Sequence, residues 1–160
     1  FKARTRFYHS TGIAMLGVKT KDGRGKTVKL RTPYDANSLY ELTESGKTFI
    51  EEATKTPGSS ENLRPTLTSQ YQRTTIVDLN TSTRMTCDEN LVCTDWKSQS
   101  VAFPYCILET KSSVQPSPFD IWLWEHGFRP QRISKYCTML AILHPDLPAN
   151  KWHRVIKNYM

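Results

Sequence analysis

The sequence predicts an α+β domain in which an antiparallel sheet dominates. Three observations lead there. Short runs alternate at strand period, tight-turn residues separate neighbouring runs, and helical apolar spacing is confined to one segment after the third run and three near the C-terminus. The 160 residues suit a single domain over 1–160, with little room for a second core. Four Trp and an aromatic share of 11% argue against disorder.

The elements follow in order. Residues 1–8 (FKARTRFY), 12–20 (GIAMLGVKT) and 26–33 (KTVKLRTP) are strand-like. Asp22-Gly23-Arg24-Gly25 links the second and third as a hairpin turn. Over 35–54, Asp35 can cap, and Leu39, Leu42, Phe49, Ile50 and Ala53 form a loose helical face. Gly46 is expected to weaken that helix or divide it. Residues 55–64 read as a loop. Strands return at 66–79, 82–88 and 102–112, with a tight connection at Asn80–Ser82 and a further short strand at 90–95. Pro116 and Pro118 precede a helix at 118–127 that Gly127 closes. Ser134 caps another helix, apolar at Met139, Leu140, Ile142 and Leu143 and ended by Pro145. Residues 149–159 read as a basic amphipathic helical tail.

The chain carries 22 Lys and Arg against 15 Asp and Glu, a formal net charge of +7. That excess points to an anionic partner and leaves nucleic acid, phosphate-rich small molecules, polyphosphate and acidic membrane open. No run approaches the roughly 18 apolar residues of a membrane span. Phe1 to Arg6 is basic with no apolar stretch behind it, so no signal peptide is read. The chain opens on Phe inside a strand-like run, and a fragment of a longer chain is expected. Cys87, Cys93, Cys106 and Cys137 form no CxxC and no zinc-like spacing with His. Free thiols in a reducing, cytoplasmic setting are the expectation.

The most informative pattern is cationic. Side chains two apart on a strand share a face. Lys2, Arg4 and Arg6 do so; so do Lys19 and Lys21, and Lys29 and Arg31. Tyr71 pairs with Arg73 and Glu109 with Lys111, while Arg84 stands on its own strand. Surfaces ordinarily mix both signs, because a one-sign field repels itself. A sheet that curls these faces together would enclose a space suited to a polyanion. Glu109 is the acidic exception. It could be a structural counter-ion, or it could ligate a divalent cation already bound to phosphate oxygens. His9, His126, His144 and His153 are scattered, and no nucleophile–base constellation emerges.

KARTRFY, VKTK, KTVKLR, YQRTT, TRMTCD, FPYCILETK and RISKY, in that order, resemble the VTC domain, the polyphosphate polymerase domain of the triphosphate tunnel metalloenzymes. The resemblance runs over essentially the whole chain, through LHPDLPANKWHRV, which looks like bacterial members. It implies an antiparallel β-tunnel or barrel, partly open here, with helices packed outside it. It implies ATP and polyphosphate as partners, Mn²⁺ or Mg²⁺ as cofactor, a membrane subunit encoded elsewhere as a further partner, and no nucleic acid. By position, Arg4, Arg6, Lys19, Lys29, Arg73 and Lys111 become the cations that hold reacting phosphates. Lys21, Arg31, Tyr71, Arg84, Arg132, Ser134 and Lys135 become further phosphate contacts, and Glu109 the metal ligand. Tyr71 reads equally well as a packed aromatic.

Two departures stand out. No acidic-basic (ERK-like) strand precedes Phe1, so six clear strands stand where such a tunnel needs about eight, and little turnover is expected of this piece alone. Gly17 stands where the family commonly has Glu. A tunnel-fold triphosphate hydrolase or nucleotidyl cyclase is an alternative, although these carry more acidic ligands. A non-catalytic binder of polyphosphate or nucleic acid is another. The Trp residues fall outside the basic strands, which argues against stacked bases.

Overall fold

A computed structural model describes residues 1–113 and 116–160. The chain forms two compact units, Phe1–Pro65 and Thr66–Met160. Both are mixed α and β, and every strand pair is antiparallel, as the sequence predicts. Among the described residues no ladder joins the two sheets, so they are not closed into a barrel.

The N-terminal unit is a meander of β1 (Lys2–Tyr8), β2 (Ile13–Lys21) and β3 (Thr27–Tyr34), followed by α1 (Glu44–Thr54). In the second turn the Asp22 carboxylate accepts from the Arg24 and Lys26 backbone N–H groups at 3.0 and 2.8 Å, and Gly25 supplies the positive φ. Ala14, Leu16 and Val18 of β2 are buried, and Leu16 and Val18 pack against Ile50 of α1. Alternation on β2 therefore decides which sheet face the helix covers. Asp35 caps a single 3₁₀ turn, Ala36–Ser38, and Thr43 caps α1. Gly46 neither divides nor ends the helix. It lies in the first turn, buried, because Tyr34 packs there: a Cβ on Gly46 would stand 3.0 Å from the Tyr34 hydroxyl. That hydroxyl donates to Glu41 O and accepts from Thr43 N, which fastens the start of α1 to the sheet edge.

The C-terminal unit has β4 (Leu67–Asp78), β5 (Thr83–Asp95), β6 (Ser100–Ala102) and β7 (Ile107–Lys111). β5 is the centre, flanked by β4 on one side and by β6 and β7 in succession on the other. The expected strands at 82–88 and 90–95 are one strand with a bulge. Gln70 pairs with Val92 but Gln72 with Glu89, so β5 holds the extra residue, and Asn90 takes a φ of 53°. The expected strand at 102–112 is instead broken into β6 and β7 around Pro104, which has no N–H to give a ladder.

α2 (Pro118–Glu125) begins with a Ser117 capping box, and its Asp120 accepts from the Thr110 hydroxyl of β7. α3 (Lys135–Leu143) starts at Ser134 as expected, and α4 (His153–Tyr159) closes the chain. Met139 of α3 is fully buried with Leu91, Cys93, Phe103 and Ile107. All four cysteines are free. No helix among the described residues is long and apolar enough to cross a membrane.

Candidate functional site

Register turns the cationic periodicity of the N-terminal unit into a surface. Residues paired across strands share a face. Lys2 lies opposite Lys19, and Lys19 opposite Lys29. Arg4 lies opposite Gly17, and Gly17 opposite Arg31. Arg6 pairs with Met15, and Lys21 with Thr27. One face thus gathers Lys2, Arg4, Arg6, Lys19, Lys21, Lys29 and Arg31, while α1 packs on the other. No residue of these three strands is acidic.

The side chains converge further than register requires. The Arg6 guanidinium donates to the Tyr8 hydroxyl at 3.1 Å. That hydrogen bond, aided by the fields of Arg6, Arg31 and Arg4, holds the Tyr8 phenol below its ordinary pKa and outweighs the opposing effect of burial. Tyr8, two beyond Arg6, falls on the cationic parity at the end of its strand, and the sequence pattern assigned it no role there; the hydrogen bond from Arg6 supplies one. Gly17 leaves a gap between Arg4 and Arg31. A Cβ there would meet only the backbone oxygens of Leu30 and Arg4, at 3.7 and 3.9 Å.

The C-terminal unit is organised differently. Arg73 pairs with Asp88 and Asp88 with Ile107; Thr75 with Thr86 and Thr86 with Glu109; Val77 with Arg84 and Arg84 with Lys111. Arg73, Arg84, Glu109 and Lys111 therefore share a face, together with Asp88. The Asp88 side chain is wholly buried. Its two oxygens accept from Arg73 Nε and Nη2 at 2.5 and 2.6 Å, and Lys135 Nζ lies 2.5 Å from Oδ2. Burial alone would raise the Asp88 pKa. The Arg73 and Lys135 hydrogen bonds and charges outweigh it and hold the carboxyl below the ordinary range. Arg73 is correspondingly raised.

The Tyr71 ring carries both cations, with Arg73 and Lys135 each 5.3 Å from its centroid. The structure thus gives Tyr71 a task for its ring rather than for its hydroxyl. Ser134 accepts from Cys137 N as the cap of α3, which sets the direction in which Lys135 leaves the helix. Arg132 is exposed in the segment before that helix.

At the other end of the same face, Arg84 and Lys111 line an open depression of about 460 Å³ with Val77, Ser82, Ser112 and Ser113. Glu109 Oε1 lies 2.9 Å from Lys111 Nζ. Burial pushes the Glu109 pKa up, but Lys111, Lys135 and Arg73 more than offset this and lower it. Among the described residues no cluster of three or more His, Cys, Asp or Glu could hold a metal. Asp88 is committed to its cations, which leaves Glu109 as the accessible carboxylate of this face. One carboxylate fits a hard cation such as Mg²⁺ that draws its other ligands from phosphate and water.

Asp88 is the main residue that sequence reasoning missed. It lies four beyond Arg84 on the same strand, hence on the same face, and this parity was the signal. What it binds depended on the pairing of β4 with β5 and on the placing of α3.

A family model described as the VTC domain matches residues 1–144. No curated protein and no solved structure matches the chain.

Proposed function

The chain belongs to the VTC domain family, and from that premise we propose that it binds ATP and polyphosphate and transfers the γ-phosphoryl group of ATP to the end of a polyphosphate chain. The observation that carries this reading is the N-terminal sheet, whose open face gathers Arg4, Arg6, Lys19, Lys21, Lys29 and Arg31 without an acidic residue in the strands. Such a face is destabilised by its own repulsion and is relieved by a polyanion.

The reaction needs little covalent chemistry from protein groups. A terminal phosphate oxygen of the acceptor forms a bond to the γ-phosphorus as the bond to the β–γ bridging oxygen breaks, and ADP leaves with that oxygen. The obstacle is repulsion between two polyanions that must meet in line. On this reading Arg4, Arg6, Lys19, Lys29, Arg73 and Lys111 neutralise and orient the reacting phosphates. Lys21, Arg31 and Arg84 extend the grip, and Arg132, Ser134 and Lys135 hold the donor end or the emerging chain. Glu109 would hold a divalent cation, Mn²⁺ or Mg²⁺, which when bound supplies charge neutralisation across phosphate oxygens. A membrane subunit encoded elsewhere would take up the product.

The test is ATP-dependent synthesis of polyphosphate by the full-length parent protein as wild-type and by its Glu109→Gln and Lys111→Ala variants. The expected result is chains of phosphate from wild-type and at least about a tenfold lower rate in each variant. Unchanged rates in both variants overturn the assignment. Orthophosphate or a cyclic nucleotide as the product would reassign the chemistry to hydrolysis or cyclisation.

A further inference from the structure

We propose that Asp88 is a positioning residue that clamps Arg73 and Lys135 in the orientation used for phosphate and holds down their affinity for it. The inference rests on the functional reading above, and it assigns a role to a residue outside the predicted cationic set.

The geometry is specific. Asp88 lies directly opposite Arg73 in the β4–β5 ladder and receives the Nε–Nη2 edge of its guanidinium. A guanidinium has a second donor edge, formed by its two terminal nitrogens. Occupying the first edge fixes the plane of the group and turns the second edge to a ligand. Lys135 reaches the same carboxylate from the first residue of α3, so the clamp joins a helix to the sheet. The Tyr71 ring bounds both cations from one side. Asp88 is inaccessible, whereas Arg73 and Lys135 keep 33% and 20% of their side-chain surface open. A ligand can therefore reach the cations but not the carboxylate.

Charge arithmetic supplies the second half. One carboxylate between two cations leaves a net positive charge of one, where the bare pair would present two. A phosphate chain approaching Arg73 and Lys135 competes with the field of Asp88 without displacing it. Neutralising Asp88 removes that competition and frees both side chains to wander. Affinity should rise while turnover falls. An ion pair that only stabilised the fold would lower both together.

The experiment measures binding of inorganic tripolyphosphate by calorimetry to wild-type, Asp88→Asn and Asp88→Glu at two salt concentrations. Folding of each variant is checked by near-ultraviolet circular dichroism. Asp88→Asn is expected to bind roughly three- to tenfold more tightly, with a steeper salt dependence. Asp88→Glu keeps the charge and should bind close to wild-type. In the synthesis assay, Asp88→Asn should show a lower KM and a kcat reduced by about tenfold or more, because misplacement by a fraction of an ångström is costly in phosphoryl transfer. A folded Asp88→Asn that binds equally or more weakly overturns the inference and leaves the functional reading standing. Wild-type protein that fails to bind tripolyphosphate overturns both. Wild-type that binds it without synthesis overturns the functional reading alone, and binding then decides the role of Asp88. If Asp88→Asn does not fold, the Arg73 Nε–H proton resonance of the wild-type decides. Protection from water exchange that persists with tripolyphosphate supports the clamp, and loss of protection on its addition overturns it.

Discussion

The two units solve the problem of a cationic sheet face in opposite ways. In β1–β3 the helix covers the apolar face, and the cations lie on the side it leaves open, with no carboxylate from their own strands. In β4–β7 the helix α3 packs on the same side as the cations, and carboxylates are interspersed: Asp88 holds Arg73 and Lys135, and Glu109 holds Lys111. The first arrangement keeps the full charge of its cations, and Arg6 is oriented by the Tyr8 hydroxyl rather than by a carboxylate. The second fixes Arg73 and Lys135 beforehand at the cost of part of their charge. Carboxylate clamping and undiluted charge are thus separated between the units.

This contrast can be broken at several points. The largest expected effect is on the C-terminal unit, whose face depends on α3. Met139→Ala empties a fully buried position and should cost about 2–5 kcal/mol in urea denaturation. A loss below about 1 kcal/mol would mean that α3 is not what holds this face together.

Next comes the internal carboxylate. Because the folded-state pKa of Asp88 is depressed, its stabilising contribution is present above the ordinary Asp range, near pH 4, and is lost as pH falls through the lower folded value. Wild-type should exceed Asp88→Asn by about 1–3 kcal/mol at neutral pH. Thermal melts across pH should then show the two converging in acid. A gap that widened on acidification would contradict an ionised Asp88.

The smallest effect sharpens the contrast from the other side. Gly17→Glu would place a carboxylate between Arg4 and Arg31, where a Cβ meets no atom closer than 3.7 Å. It should convert the open face toward the internally matched kind. Metal-free tripolyphosphate should bind roughly three- to tenfold more weakly, with stability changed by less than about 1 kcal/mol. Unchanged affinity would detach this row from the anion site.

Much of this was legible in the chain itself. Lys2, Arg4 and Arg6 share a face for any straight strand, and the same holds for Lys19 with Lys21 and for Glu109 with Lys111. The Asp22–Gly25 turn and the Ser134 cap were equally local, because turn chemistry and capping need only neighbouring residues. Asn90 was not legible as a bulge. The polar run Asp88–Glu89–Asn90 looks like a break between two strands, and only pairing with β4 makes it a continuous strand with one extra residue. That bulge also puts Asp88 and Leu91 on one side of the sheet despite their odd spacing. Gly46 misled for a related reason. Its helix propensity is poor, but Tyr34, twelve residues away, needs the space.

Sequence alone therefore determined the α+β class, the turns and caps, and which residues of each strand lie on a common side, since all of these follow from backbone geometry over a few residues. Tertiary structure alone decided the rows: Arg4 beside Gly17 and Arg31, Arg84 beside Lys111, Asp88 between Arg73 and a lysine from a distant helix. Those neighbours are set by strand register and helix docking, which depend on burying Leu16 with Ile50 in one unit and Leu91 with Met139 in the other. No local rule encodes that choice, because its energy arises only when remote segments meet.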